Sequence, residues 1–380
     1  MSKGDFKIPF NKPYLGGKEL EYMQENIKSG NIIGNGEYTC KCEDLLEKTF
    51  NANKVLLTNS CTDALEMASL LIDLELGDEV IVPSYTFVST VNAFILRGAK
   101  PIFVDIREDT LNINEAKIEE KITDKTKAIF PVHYAGVACE MDAIMEIAER
   151  YNLFVVEDAA QGVNAKYNGR YLGTIGDLGT YSFHGTKNYT CGEGGAIVIN
   201  NEYFVERAEI LREKGTNRCK FMRGEIDKYT WVDIGSSYLL SDILAAFLYA
   251  QLKALEKIKK KRKVIFDFYY ENLKELEKAG KLRLPIIPSN CEINYHLFHI
   301  LLPSEEKRNS LMDKLKNAGI QAVFHYIPLH TSPMGAKFGY RKGNLPITES
   351  ISGRMLRLPF YPSLGKEKQE FVITMLKKYV

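Results

Sequence analysis

Along the first half of the chain, short apolar runs alternate with stretches whose apolar residues recur at helical spacing. The runs are Val55-Leu56-Leu57, Val80-Ile81-Val82, Pro101-Ile102-Phe103-Val104, Ala128-Ile129-Phe130-Pro131-Val132 and Phe154-Val155-Val156. A strand that is apolar without alternation is covered on both faces, and helices between successive strands make parallel crossovers. The pattern predicts an α/β fold: a mixed, mostly parallel sheet flanked by helices. After about residue 250 the rhythm changes. Leu252, Leu255, Ile258, Ile265, Phe268 and Leu273 predict a long helix, and the lysine-rich run over residues 257–263 is expected to be its solvated face. A β-rich run follows at Tyr295-His296-Leu297-Phe298-His299-Ile300-Leu301-Leu302, then a helix over residues 307–318. The expected division is a large domain over 1–250 and a smaller α+β domain over 251–380.

In parallel sheets, chemistry gathers beyond the carboxyl ends of the strands. Asn59-Ser60-Cys61-Thr62-Asp63 follows the first run, where Thr62 and Asp63 are expected to open a helix whose free N–H groups and dipole favour an anion. An ordinary helix cap would read the same. Tyr85-Thr86-Phe87 follows the second run, and Phe87 offers either packing or a flat platform. His133 follows the run that ends at Val132. Asp158 ends a fully apolar strand, where a carboxylate needs a cation or several donors. Lys187 lies in Ser182-Phe183-His184-Gly185-Thr186-Lys187-Asn188, just before Gly192-Glu193-Gly194-Gly195. An anion site, an aromatic platform, an acid and a lysine at successive strand ends are the parts that pyridoxal phosphate requires. A carboxylate beside the pyridine nitrogen raises its pKa and keeps the ring an electron acceptor.

Composition narrows the partners. With 380 residues, 45% of them hydrophobic, the chain can bury a large core. A net charge of +1 gives no basic surface for nucleic acid or an acidic membrane, so the partner is expected to be small. The cysteines number seven and are scattered, which fits a reducing compartment better than a disulfide framework. No run approaches the ~18 apolar residues of a membrane span, and the expected location is cytoplasmic. His133, His184 and His325 lack the close pairing of a zinc motif, so no metal is expected.

These segments resemble the DegT/DnrJ/StrS sugar aminotransferases, fold-type-I pyridoxal phosphate enzymes, over essentially the whole chain. Pro83-Ser84-Tyr85-Thr86-Phe87-Val88-Ser89-Thr90, Pro131-Val132-His133-Tyr134-Ala135-Gly136, Val156-Glu157-Asp158-Ala159-Ala160-Gln161, the Lys187 segment and His325-Tyr326-Ile327-Pro328-Leu329-His330 carry the match. The resemblance implies that Lys187 holds the cofactor covalently and shuttles protons, and that Asp158 pairs with the pyridine nitrogen. Gln161 would bond the ring hydroxyl, Phe87 would stack on the ring, and Thr62, Asp63 and Ser182 would bind the phosphate. His325, Tyr326 and His330 are expected to contact substrate. Pyridoxamine phosphate would be the cofactor's other form.

A narrower likeness, carried by Glu213-Lys214-Gly215-Thr216-Asn217-Arg218 and the stretch around Trp231 to Leu239, points to members that aminate C4 of a dTDP-linked 6-deoxyhexose with L-glutamate. The family also implies a homodimer with sites at the subunit interface. Many relatives place a partner-subunit asparagine on the phosphate at the position of Leu239, which cannot donate, so Ser236, Ser237 or water is expected to substitute. Three alternatives stand beside this reading. The first is another nucleotide-sugar aminotransferase, for a UDP-linked or 3-keto sugar or an equatorial amine. The second is a sugar dehydratase, which relatives build with histidine at the position of Lys187. The third is a noncatalytic nucleotide-sugar binding protein, whose signature would be loss of Lys187 or Asp158.

Overall fold

The computed structural model describes residues 6–380. Its centre is a seven-stranded sheet of β1 (Lys54–Thr58), β2 (Glu79–Pro83), β3 (Lys100–Val104), β4 (Thr126–Ile129), β5 (Phe154–Asp158), β8 (Leu178–Ser182) and β9 (Gly195–Ile199). Between β5 and β8 lie the two-residue strands β6 (Lys166–Tyr167) and β7 (Arg170–Tyr171), which form a small sheet with β10 (Cys291–Glu292). The large sheet runs β1-β9-β8-β5-β4-β2-β3, and only β9 is antiparallel to its neighbours. The five apolar runs are therefore strands of one mixed, mostly parallel sheet, as their pattern predicts.

The missing alternation has a direct cause. Val55, Leu57, Ile81 and Val155 enter one buried cluster, and Leu56, Val80, Val82 and Val156 enter another on the opposite face. The first is covered by α2 (Glu37–Phe50), α5 (Met141–Tyr151) and α8 (Asp242–Lys253), with α1 (Lys18–Ser29) packed against α8. The second is covered by α3 (Cys61–Leu71), α4 (Val88–Ile95) and α6 (Val205–Arg212), which leads into the short α7 (Arg218–Met222). Both faces exclude water, so apolar residues fill both, and a buried polar side chain such as Glu157 is kept only where it finds partners, here His133 and the N–H groups of Gly173, Ile175 and Gly176.

A third core joins α9 (Leu255–Lys278), β11 (His299–Leu301), α10 (Glu305–Asn317), β12 (Met355–Arg357) and α13 (Lys366–Tyr379), while the short α11 (Pro333–Lys337) lies outside it and Ile351 of α12 (Pro346–Arg354) packs in a fourth cluster with Tyr85 and Tyr134. Leu255 and Ile258, in the first turns of α9, still belong to the large core, whereas Ile265 onward belongs to the small one. The division by packing thus falls inside α9. At the other end of the chain, Ile8 exchanges backbone hydrogen bonds with Gly319 and Gln321 and is buried in the small core. The first described residues consequently pack with the C-terminal domain.

Two expectations need correction. Of the run Tyr295 to Leu302, only His299–Leu301 is strand. Arg262 takes the carbonyls of Tyr295 and His296, Asn188 takes the carbonyl of Asn294, and Tyr295 has φ 54°, so side chains consume the groups a ladder would use. Arg262 also breaks the solvated face expected over residues 257–263, because it turns inward and is buried.

Candidate active site

The carboxyl ends of β1, β2, β5 and β8 open on one cleft of about 790 Å³, closed on its far side by residues of the C-terminal part. Strand β1 delivers α3 through Ser60, whose hydroxyl accepts from the Asp63 N–H at 3.0 Å and caps the helix. Gly195, at the start of β9, allows this: a Cβ there would lie 2.3 Å from the carbonyl carbon of Ser60. Only a residue without a side chain lets β9 run against the first turn of α3. The helix thus starts at Cys61, one residue before Thr62. Thr62 lines the cleft and bonds Ser89 at 2.8 Å. The Asp63 carboxylate instead accepts from Ser60 and is not part of the cleft wall, so of the two residues only Thr62 faces the space.

Asp158 closes β5 at the floor. Thr90 donates to one carboxylate oxygen at 2.7 Å and the Ala160 N–H to the other at 3.1 Å, while Thr86 bonds Thr90 in turn at 2.7 Å. These donors aim the carboxylate without a cation, leaving it free to accept from a ligand. Gln161 is held by the Ala135 N–H at 2.8 Å and donates to the Tyr326 hydroxyl at 3.1 Å. Ser182, at the end of β8, lines the same cleft, and Phe87 forms its mouth with 57% of its surface exposed.

Lys187 enters from the loop after β8. Its Nζ has no hydrogen-bond partner among the described residues. Burial lowers its pKa and Arg357 adds to the effect, while Cys61 and Asp158 oppose it. The amine is therefore less basic than an exposed lysine and more often unprotonated, the state in which it is a nucleophile and a base.

His325 and Tyr326 line the cleft. Burial, reinforced by Arg357 and Lys187, keeps His325 neutral, and its Nδ1 meets the Tyr134 hydroxyl at 3.1 Å. His330 departs from the expectation. It is fully buried, with Nδ1 at 2.7 Å from the Ser84 hydroxyl and Nε2 at 2.9 Å from Glu349, and is absent from the cleft wall. Pro328 starts a turn that returns the chain into the core beside β2, and His330 fastens that turn. Ser236 and Ser237 are solvent-exposed and absent from the cleft wall, and Leu239 packs on Gly34.

The cleft also contains residues that sequence reasoning passes over: Phe10, Thr90, Arg262, His296, Arg357 and Phe360. Thr90 sits within the Pro83 to Thr90 segment, and a helix-borne hydroxyl facing a strand-end acid is a signal that could flag it. The others come from the N-terminal segment, α9, the loop before β11, and β12 with the turn after it, where no periodicity marks a side chain as facing a site.

A family model for the DegT/DnrJ/EryC1/StrS aminotransferases matches residues 13–377. The chain belongs to this family. Its curated relatives include GDP-perosamine synthase from Escherichia coli O157:H7, 35% identical over 98% of this chain and 98% of that protein. Among solved structures it is similar to the aminotransferase TlmJ from Streptoalloteichus hindustanus, with a TM-score of 0.89 and 29% identity over 98% of each chain. It is also similar to NtdA from Bacillus subtilis with bound cofactor PMP, with a TM-score of 0.86 and 33% identity over 95% of this chain and 81% of that one. This DegT/DnrJ/EryC1/StrS member is a sugar aminotransferase dependent on pyridoxal phosphate.

The residues present fit that cofactor. An unpartnered amine, a carboxylate positioned by two donors, a helix N-terminus flanked by Thr62 and Ser182, and a flat aromatic face at the mouth could hold the aldehyde, ring nitrogen, phosphate and ring respectively.

Proposed function

We propose that the enzyme moves the amino group of L-glutamate to C4 of dTDP-4-dehydro-6-deoxy-D-glucose, giving 2-oxoglutarate and dTDP-4-amino-4,6-dideoxy-D-galactose. The observation that carries the reading is Lys187, a lysine kept weakly basic by burial and opening on a cleft that ends at Asp158. Pyridoxal phosphate, when bound, supplies the carbonyl that carries nitrogen between the two substrates and a ring that accepts electrons. Lys187 holds the cofactor, takes the proton from the donor's α-carbon and later delivers a proton to the sugar's C4. Delivery to one face of the sugar leaves the amine axial. Asp158, oriented by Thr90, keeps the ring nitrogen protonated, and Gln161, fixed by Ala135 and Tyr326, meets the ring hydroxyl. Thr62 and Ser182 take the phosphate beside the α3 N-terminus, and His325 and Tyr326 line the substrate side. The exposed face of Phe87 suits a homodimer whose partner completes the cleft mouth. A cytoplasmic location goes with this reading.

A second reading, a GDP-linked ketosugar as acceptor, is favoured by the 35% identity to GDP-perosamine synthase. One experiment separates them: purified holoenzyme with L-glutamate and either dTDP-4-dehydro-6-deoxyglucose or its GDP-linked counterpart, with NMR of the product. An axial 4-amino product from the dTDP sugar supports the first reading. Turnover of the GDP sugar alone moves the assignment to the second, and an equatorial amine overturns the stereochemistry.

A further inference from the structure

The cleft holds a histidine whose ring hydrogen is placed by the bonds around it. His296 lies in the loop before β11, and its Nδ1 meets Asn188 Oδ1 at 3.0 Å. The Asn188 amide cannot be turned over, because its Nδ2 donates to the Asn294 carbonyl at 2.9 Å and an oxygen in that place would face another oxygen. Asn188 Oδ1 only accepts, so the hydrogen is on Nδ1. Burial pushes the His296 pKa well below its ordinary value, and Lys187, Arg262 and Arg357 add to the effect. The groups that face it are those three, from the loop after β8, α9 and β12, and neutral His325; none is a carboxylate. The ring is therefore neutral and its Nε2 is a bare acceptor. That nitrogen makes no hydrogen bond among the described residues, and neither does Lys187 Nζ. Both residues line the main cleft and also a second cavity of about 10 Å³, whose small size brings its walls together. Of the residues that border both spaces, Gln161 and Ser182 among them, only these two can take up a proton.

We propose that His296 is a positioning residue for Lys187: its Nε2 accepts a hydrogen bond from the free amine and turns the amine's lone pair toward the carbon that gives up its proton. The assignment rests on Lys187 being the group that moves protons. An unprotonated amine carries two hydrogens and one lone pair on a flexible four-carbon stem, and only the lone pair acts as a base. Anchoring a hydrogen fixes where the lone pair points. A carboxylate in this place would hold the lysine protonated, whereas a neutral imidazole takes the hydrogen bond and leaves the proton with the amine. Once Lys187 has taken up a proton, the same acceptor steadies the ammonium through a charge-assisted bond. His296 is itself held at both ends, since its carbonyl accepts from Arg262 Nη2 at 2.6 Å while its ring is held by Asn188.

Two variants separate the acceptor from its anchor. His296→Asn keeps an N–H for Asn188 and puts nothing at the place of Nε2, whereas His296→Gln puts an amide oxygen there. The first measurement uses the apoprotein, whose capture of pyridoxal phosphate is followed by absorbance against pH. The bond favours the ammonium, so losing it lowers the Lys187 pKa: the capture midpoint should move to lower pH in His296→Asn and stay near wild type in His296→Gln. The second is a single turnover of the holoenzyme with L-glutamate, which should slow by about 10- to 100-fold in His296→Asn, with half-saturation changed by less than ~3-fold and part of the rate restored in His296→Gln. Nitrogen-15 NMR of the apoprotein should find the His296 hydrogen on Nδ1. A hydrogen on Nε2 overturns the proposal, as does a midpoint that stays or rises in His296→Asn. Raised half-saturation at an unchanged rate overturns it by giving His296 to the substrate, and equal losses in both variants with a lowered melting temperature overturn it by showing a structural role. If the midpoint moves as expected but L-glutamate gives no turnover in wild type, the donor reading fails while the contact between His296 and Lys187 stands. If the wild-type apoprotein captures no pyridoxal phosphate, the assignment of Lys187 fails and the proposal falls with it.

Discussion

The two walls of the cleft are built differently. The large-domain wall consists of strand ends and the turns that follow them: Thr62 after β1, Phe87 after β2, Asp158 on β5, and Ser182 and Lys187 at and after β8. A parallel sheet brings such positions to one edge wherever they fall in the chain, so each functional group sits at the end of a strand. The small-domain wall has no such rule. Phe10, Arg262, His325, Arg357 and Phe360 come from an N-terminal segment, the inner face of a helix, a loop, an antiparallel pair and the turn after it, and they meet because Ile8 pairs with Ile320 and β12 with β11. One wall is arranged by the regularity of a sheet, the other by particular tertiary contacts. The first holds the groups that fit the cofactor, and the second carries Arg357, a cation that no acid pairs with among the described residues.

The sharpest way to break this comparison is Lys187→Ala. Multiple-turnover activity should fall by at least roughly 10³-fold, because one group supplies both attachment and proton transfer. Residual activity near wild type would sink the assignment of Lys187. A smaller effect is expected from Gly195→Ala. The added Cβ meets the Ser60–Cys61 backbone at 2.3 to 2.4 Å and must push β9 from the α3 N-terminus. Thermal melting should show a loss of roughly 1–3 kcal/mol of stability, and pyridoxal phosphate should bind more weakly. Normal cofactor affinity in a folded Gly195→Ala protein would mean that this helix start does not carry the phosphate.

The smallest effect concerns the charge that crosses the cleft. Capture of pyridoxal phosphate by the apoprotein needs Lys187 unprotonated, so its rate should rise with pH through a midpoint below the ordinary lysine value of 10.5. Arg357 disfavours a second positive charge nearby, and Arg357→Gln removes that repulsion. The lysine pKa then rises and the capture midpoint moves to higher pH, which stopped-flow absorbance would read. A midpoint that stays in place or moves down would show that Arg357 exerts no field on the amine.

Much of the large-domain wall is legible in the order of residues alone. Five strands of the large sheet are marked by apolar runs because both faces are covered, and the residues after those runs include Thr62, Phe87 and Asp158. Lys187 stands out by its glycine-rich surroundings instead. Where the expectations fail, a side chain has taken over a backbone's role or turned to serve one. The expected strand at Tyr295 is shortened by Arg262 and Asn188, and His330, close in the chain to the cleft residues His325 and Tyr326, turns away to tie Ser84 to Glu349. Asp63 likewise serves the cap of its helix rather than the cleft.

By itself, then, the amino-acid sequence determined five of the sheet's seven strands, their covered faces and much of the chemistry at the carboxyl edge, because periodicity and strand ends are local properties that burial writes directly into the order of residues. Only the tertiary structure decided the opposite wall and the state of the groups inside. Whether Arg357 meets an acid or a cavity, and whether Lys187 is buried enough to lose basicity, depend on which distant residues pack around them, and no spacing along the chain encodes that.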